Sequence, residues 1–266
     1  MKSFPIYQVD SFAEELFKGN PATVCPLEEW LPTETMKHLA EENNTSETAF
    51  FIRNGDIFHI RWFTADFEVD LAGHPTLAAA HVIFNEMNYN KEVIHFECNS
   101  GSLFVKQNNG MIELNLPARM PEKTNPPLAL IEGISKAHHK PEHIFKSRDY
   151  FLVYEDENEV KQFMPDFGWL NQLKDAVGII ITAKSDSDGI DFVSRFFVLN
   201  SRIGEDQVTG SSHSSLVPYW SKRLNKTQMV AKQMSKRGGI LYCEDKNDRV
   251  TISGKAILYM KGEYYL

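Results

Sequence analysis

The sequence predicts a mixed α+β chain made of two similar halves, each with one buried central helix. Three observations predict this. β-rich runs and helical segments follow one another in the same order at about residues 47–117 and about 179–254. In each half a glycine, Gly73 or Gly210, precedes a segment that turns apolar. Arg195-Phe196-Phe197 echoes Arg61-Trp62-Phe63 on the second β-run of each half. Identity between the halves is low, so the repeat is one of structure. The plainer alternative is that many α+β chains show strands and helices in some such order.

The elements follow in order. "FPIYQVDSF" reads as a strand, and "LPTETMKHLAEEN" has helical periodicity with Thr33 or Thr35 as caps. "ETAFFIRNGDIFHIRWFT" is two β-rich runs about Asn54-Gly55, a strong hairpin signal. "VDLAGHPTLAAAHVIF", residues 69–84, reads as a buried helix whose start is held by Gly73, His74 and Pro75, since proline suits the first turn. "VIHFECNSGSLFVKQNNGMIELNLP" then gives three strands and two turns.

The second half repeats the scheme. "GIIITAKSDSDGIDFVSRFFVLN" is two β-runs about a Ser-Asp-Gly turn, and "EDQVTGSSHSSLVPYWSKRL" is a glycine-led helix entry. "MVAKQMSKRGGILYCEDKNDRVTISG" closes with three strands. "PARMPEKTNPPLALIEG", rich in proline and turn residues, is the natural linker. The expected division is an N-terminal domain, 1–117, which the last strand-like piece, 255–266, is free to rejoin, and a C-terminal domain, 118–254.

Composition narrows the function. A chain of 266 residues with 42% hydrophobic and 24% charged residues can build a sizeable core without staples. Its formal net charge of -8 argues against nucleic-acid binding, which needs a basic face. Cys25, Cys98 and Cys243 lack metal-type spacing and suggest a reducing compartment. No signal-peptide core and no membrane-length apolar run is evident, so the expected location is the cytoplasm, with no membrane partner.

Four short stretches could carry chemistry. His74 is a titratable group beside the free N–H donors of a helix start; a turn histidine satisfied by backbone is the alternative. In "EDQVTGSSHSS" an acid, Asp206, stands just before Gly210, Ser211 and Ser212. Gly210 permits close backbone approach, while both serines could simply cap the helix. In "NNTSETAFF", Glu47 precedes apolar residues; burial would raise its pKa and make it a usable acid/base, against the plainer reading of a surface carboxylate. "GNPATVC" is a turn or part of a pocket wall. Two helix starts facing one cleft would suit a small carboxylate. His138, His139 and His143 show no zinc spacing, and no phosphate-binding glycine fingerprint occurs. His81 reads as a core or pocket-wall histidine.

Taken together, "GNPATVC", "NNTSETAFF", "IRWFTADFEVDLAGHPTLAAAHVIF", "GEDQVTGSSHSSLVPYWSKRL" and "AKQMSKRGG" resemble the phenazine-biosynthesis PhzF-like family, in order and spacing, over nearly the whole chain. The resemblance implies a diaminopimelate epimerase-like fold of two α/β halves, each a mainly antiparallel, barrel-like sheet around a central helix, with the active site in the cleft between them. It implies a homodimer and a cofactor-independent isomerase that needs no metal. Glu47 would carry the proton, with His74, Asp206 and Ser211 orienting a small amino-acid-like or cyclic carboxylate. Backbone at Gly73, Gly210 and Ser212 would bind the carboxylate group. The competing expectation is a small-ligand-binding or regulatory protein that keeps the pocket without turnover.

Two departures stand out. Many members resembling this chain have Cys-Gly-His-Ala where it has Ala72-Gly73-His74-Pro75, and Glu-Asp-Pro where it has Glu205-Asp206-Gln207. Neither helix entry holds a cysteine, which argues against a racemase working with two opposed thiolates.

Overall fold

The computed structural model describes residues 1–135 and 140–266; His138 and His139 lie outside the described residues. The chain divides into two compact units, Met1–Asn115 with Ile252–Leu266, and Leu116–Thr251. The fold is mixed α/β, mostly sheet, with the same ladder built in each unit.

In the first unit the strand Ser3–Ser11 lies between Ala256–Tyr265 and Asn20–Leu27, antiparallel to both. Beyond Asn20–Leu27 come Thr48–Asn54, Ile57–Phe63, Val93–Cys98 and Gly101–Asn108. Only two of these contacts are parallel, and each is bridged by a helix. Thr33–Asn43 joins Asn20–Leu27 to Thr48–Asn54, and Gly73–Glu86 joins Ile57–Phe63 to Val93–Cys98. A parallel neighbour cannot be reached by a tight turn, so the crossovers follow from the pairing.

The second unit repeats this. His143–Lys146, Tyr150–Val153, Gly178–Lys184, Phe192–Val198, Gln228–Gln233 and Gly239–Asp245 pair in that order. Its two parallel contacts are bridged by the short helices Glu157–Gln162 and Phe167–Leu170, and by the helix His213–Leu224.

Each central helix is enclosed rather than amphipathic. Leu77, Ala78, Ala79, Ala80, Val82 and Ile83 are fully buried, which explains a run with so little polar character. In the second helix the buried set includes Leu216, Val217 and Trp220; the Trp220 ring stacks on Phe192 and its Nε1–H donates to Thr182 Oγ1 at 2.9 Å. Pro218 lies inside this helix and cannot bond the carbonyl of Ser214. The Arg119 N–H donates to that carbonyl at 2.7 Å, so the vacated acceptor is satisfied.

Several expectations shift in detail. The first hairpin turns on Gly55-Asp56, with Asn54 paired to Ile57. Gly55 takes φ 61°, as the first central residue of a II′-type turn requires. Asn109-Gly110 is itself a turn, with φ 50° and 76°, the I′ pattern. Thr33 does not cap its helix; it accepts a hydrogen bond from Arg61 at 3.1 Å. Nor is the proline-rich stretch an open linker. Glu122–Lys123 pairs with Phe145 and Lys146, and Leu130 is buried beside Leu170 in the core of the second unit. A Cβ on Gly133 would meet the Leu170 side chain at 2.2 Å, so this glycine admits the contact. No helix among the described residues is long and apolar enough to cross a membrane.

The Arg-aromatic echo of the two halves has a structural meaning. Arg61 grips Glu68 through Nε and Nη2 at 2.7 and 2.6 Å. Arg195 grips Glu205 in the same way at 2.6 and 3.0 Å. Each guanidinium also lies over the ring two residues on, Phe63 at 5.0 Å and Phe197 at 4.8 Å. Arg195 is the more embedded, with 12% of its side chain exposed, and its Nη1 serves the carbonyls of Val160, Lys161 and Phe163. Arg195→Ala should therefore cost about 3–5 kcal/mol in urea denaturation, and Arg61→Ala, with fewer acceptors to orphan, should cost less.

Candidate active site

The first unit builds a carboxylate–imidazole pair. Asn44 ends the helix Thr33–Asn43 in the left-handed conformation, φ 51°, turning the chain toward the strand Thr48–Asn54. The intervening turn is tied down by Thr45 Oγ1 donating to the Glu47 carbonyl at 3.0 Å and by the Thr23 N–H on the same carbonyl at 3.3 Å. Glu47 thus enters the strand with its carboxylate 3.1 Å, through Oε2, from His74 Nε2. His74 is only 4% exposed, held in the first turn of the central helix, and the Ser11 hydroxyl anchors its carbonyl at 2.7 Å.

Ser46 completes the arrangement. Its Oγ lies 3.0 Å from His74 Nε2 and 3.3 Å from Asn20 Oδ1. The hydroxyl has one hydrogen; donating it to Asn20 leaves Ser46 to accept from His74 Nε2–H. The Asn of "GNPATVC" therefore orients the serine beside the acid.

The carboxylate differs from the sequence-based expectation. Burial pushes the Glu47 carboxyl up, but the His74 charge beside it and polar contacts with His74 and Ser46 outweigh that and hold it below its ordinary value. Its Oε2 is buried without an aligned hydrogen-bond donor, so the contact with His74 acts chiefly through charge. Glu47 is ionised at neutral pH.

The second unit builds a different constellation at the matching place. Asp206 pairs with Phe196 in a two-residue strand, as Val69 pairs with Trp62 in the first unit. Four residues on in each case comes the helix-start glycine, Gly210 or Gly73. Asp206 Oδ2 accepts from Thr209 Oγ1 at 2.6 Å. The chain then makes a 3-10 turn, Gly210–Ser212, before the helix proper. Neither serine caps in the expected way. Ser212 has helical backbone angles, and its Oγ donates to the Thr209 carbonyl at 2.8 Å. Ser211 Oγ accepts from Arg148 Nη2 at 3.2 Å.

His213 Nδ1 also donates to the Thr209 carbonyl, at 2.9 Å. Burial drives its pKa down to about 4, so it is neutral and structural. Its counterpart Thr76 bonds the Ala72 carbonyl in the same way.

Gln233 and Gln207 hold Asp206 in place. Fully buried Gln233 accepts the Thr209 N–H through Oε1 at 2.8 Å and donates through Nε2 to the Asp206 carbonyl at 2.7 Å. Gln207 accepts the Arg237 N–H at 3.2 Å through its side chain, and its carbonyl accepts from Ser235 Oγ at 2.6 Å. The "AKQMSKRGG" segment is the clamp for this turn.

Arg148, Thr209 and Gln233 were missed by reasoning from the sequence. The only signal was their polar type, which nothing in the local pattern distinguishes from surface. His81 is partly buried on the central helix, where burial lowers its pKa. His143 stands 3.4 Å from Glu142, and no cluster of three or more potential metal ligands occurs among the described residues. Burial pushes the Cys25, Cys98 and Cys243 thiols up, and none lies at a helix start.

The family model for phenazine biosynthesis-like protein (PhzC-PhzF) matches residues 9–262. The chain belongs to the PhzC-PhzF family. It is 44% identical over 262 residues to an uncharacterized isomerase of Pseudomonas aeruginosa, covering 98% of each chain. It superposes on a PhzF family crystal structure from Enterococcus faecalis with a TM-score of 0.94 and 46% identity, covering all of both chains. A structure described as a predicted epimerase from Pseudomonas aeruginosa, 19% identical and covering 99% of each chain, shares the fold with a TM-score of 0.77. This PhzF-family chain thus has the diaminopimelate epimerase-like fold.

Two measurements check the site. The lowered Glu47 pKa adds stability that is full above the ordinary glutamate range and fades as pH falls through the lower folded value. Urea titrations at a series of pH values should show Glu47→Gln less stable than wild type at neutral pH, the gap narrowing on acidification. Gln233→Met should cost about 1–3 kcal/mol, because it leaves the buried Thr209 N–H and the Asp206 carbonyl without their partner.

Proposed function

We propose that this PhzF-family protein is a cofactor-independent isomerase that moves a proton on a small carboxylate, amino-acid-like or cyclic. The Glu47 carboxylate, ionised and 3.1 Å from His74 Nε2 at the start of a buried helix, is the observation that carries this reading. Relatives named as isomerases support it.

In this reading Glu47 takes a proton from a substrate carbon. The electron pair left behind shifts through the adjoining unsaturated or carboxylate group, the proton held on Glu47 exchanges with water, and Glu47 returns a proton at another carbon, so the sum is redox-neutral. His74 stays within hydrogen-bond reach of Glu47 and of the developing charge. Asp206 and Ser211 orient the substrate. Backbone N–H groups at Gly73, Gly210 and Ser212 bind its carboxylate, aided by the partial positive charge of the helix starts. Pro75 gives up one such donor in the first helix. The thiols take no part: a raised pKa disfavours the thiolate a two-cysteine racemase needs. The family resemblance supports a homodimer without metal; the sparse cysteines, the net charge of -8 and the lack of a membrane-length apolar run support a cytoplasmic protein without nucleic-acid or membrane partners.

The test is a panel of amino-acid-like and cyclic carboxylates incubated with the protein in deuterated water and read by mass spectrometry. Wild type should incorporate deuterium at carbon in at least one compound, and Glu47→Gln should slow this by about 10²–10⁴-fold. Incorporation unchanged in the variant removes Glu47 from the role. Ligand-induced stabilisation with no incorporation anywhere would make the protein a binder instead.

A further inference from the structure

The cation beside Ser211 has no part in the scheme above. Arg148 directly precedes the strand Tyr150–Val153 by way of Asp149. Its Nε and Nη2 donate to Asp149 Oδ2 at 3.0 and 2.8 Å, and the same Nη2 reaches Ser211 Oγ at 3.2 Å. Asp149 is 2% exposed, and its Oδ1 accepts the Gly178 N–H at 3.1 Å. A buried carboxylate needs its counter-charge, so this pairing fixes the guanidinium in one orientation. A third of the Arg148 side chain remains exposed, and among the described residues its Nη1 makes no hydrogen bond.

The register of the two units sharpens the point. Tyr150–Ile179–Phe197 in the second unit corresponds to Thr23–Thr48–Phe63 in the first. Arg148 therefore corresponds to Pro21, and Ser211 to His74. The fold does not require a cation at this position, since the first unit carries proline at the matching place, within the strand Asn20–Leu27. The second unit alone places a preoriented guanidinium against the hydroxyl at the helix start.

We infer that Arg148 is the substrate-carboxylate ligand of the second constellation: the carboxylate takes a hydrogen of Nη1 and the Nη2 hydrogen that Ser211 otherwise accepts, and the Ser211 hydroxyl turns to donate to it. A guanidinium fork matches a carboxylate in shape and charge, and the helix start adds to the same field. This inference rests on the carboxylate-substrate reading given above. It makes Arg148 a determinant of specificity for anionic over neutral ligands. If Arg148 served only to neutralise Asp149, removing both charges together would leave ligand binding intact.

Calorimetric titration with sodium benzoate, with benzamide as its neutral counterpart, separates these cases. Arg148→Met alone strands Asp149, so the informative protein is Arg148→Met with Asp149→Asn, which keeps an acceptor for the Gly178 N–H. Wild type and Asp149→Asn should bind benzoate in preference to benzamide. The double variant should lose that preference, with benzoate affinity falling on the order of tenfold or more. Arg148→Lys, which keeps the charge without the fork, should recover part of it. Equal benzoate affinity in wild type and the double variant overturns the role of Arg148 and leaves the carboxylate reading standing. Wild type that binds neither benzoate nor any carboxylate of the exchange panel overturns that reading itself.

Discussion

Each half of this protein depends on one guanidinium–carboxylate fork. Arg61–Glu68 and Arg195–Glu205 tie the strand before each central helix to the two-residue strand that leads into it. The short strand is too brief to hold its own register. Two parallel charge-assisted bonds, with the guanidinium seated on an aromatic ring, give it a fixed place. From there the chain reaches the helix-start glycine in five residues, and the side chains around that start inherit their positions. The Arg-Phe echo visible in the sequence is thus the trace of a structural device, repeated because both halves need it.

What the halves share is structural, and what they do not share is chemical. The forks, the helix-start glycines and the side-chain bond back to the residue before each glycine occur in both. The proposed working groups fall at positions that differ: Glu47 opposite Gly178, His74 opposite Ser211, Asp206 opposite Val69, Arg148 opposite Pro21. Gly178 shows why a second acid is absent. A Cβ there would stand 2.3 Å from the Phe196 ring and 2.8 Å from the Phe197 carbonyl, so no side chain fits. On the proposed reading, one carboxylate that accepts and returns a proton suits a shift between two carbons better than inversion by two opposed groups.

Much of the fold was legible in the sequence because hydrophobic period and turn residues are local. The strand–helix–strand order, the glycine before each central helix and the Asn109-Gly110 turn all follow from short stretches. Details set by distant partners were not legible. Thr33 looks like a cap until Arg61 takes its hydroxyl, and Ser212 looks like one until the helix extends back through Gly210. The proline-rich stretch after residue 117 reads as linker, since nothing local reveals that Leu130 enters a core or that Arg119 satisfies the carbonyl freed by Pro218. The proposed site divides along the same line. Glu47, His74, Asp206 and Ser211 stood out through family resemblance, whereas the lowered Glu47 pKa depends on a charge 27 residues away in sequence.

Gln207 shows how one restraint can replace another. Proline after Asp206 would bias the aspartate toward extended backbone by steric exclusion. Here Asp206 is extended because it pairs with Phe196, and the following residue is held by hydrogen bonds: Ser235 on its carbonyl and Arg237 on its side chain. Gln233 adds a third tie by binding the Asp206 carbonyl and the Thr209 N–H at once. The restraint that a proline ring would give is thus supplied by a polar clamp from the strand Gln228–Gln233 and the turn beyond it. The two restraints differ in kind. Steric restriction acts on the unfolded chain as well, while the clamp exists only when the second unit is folded, so the placement of Asp206 is coupled here to the integrity of that unit.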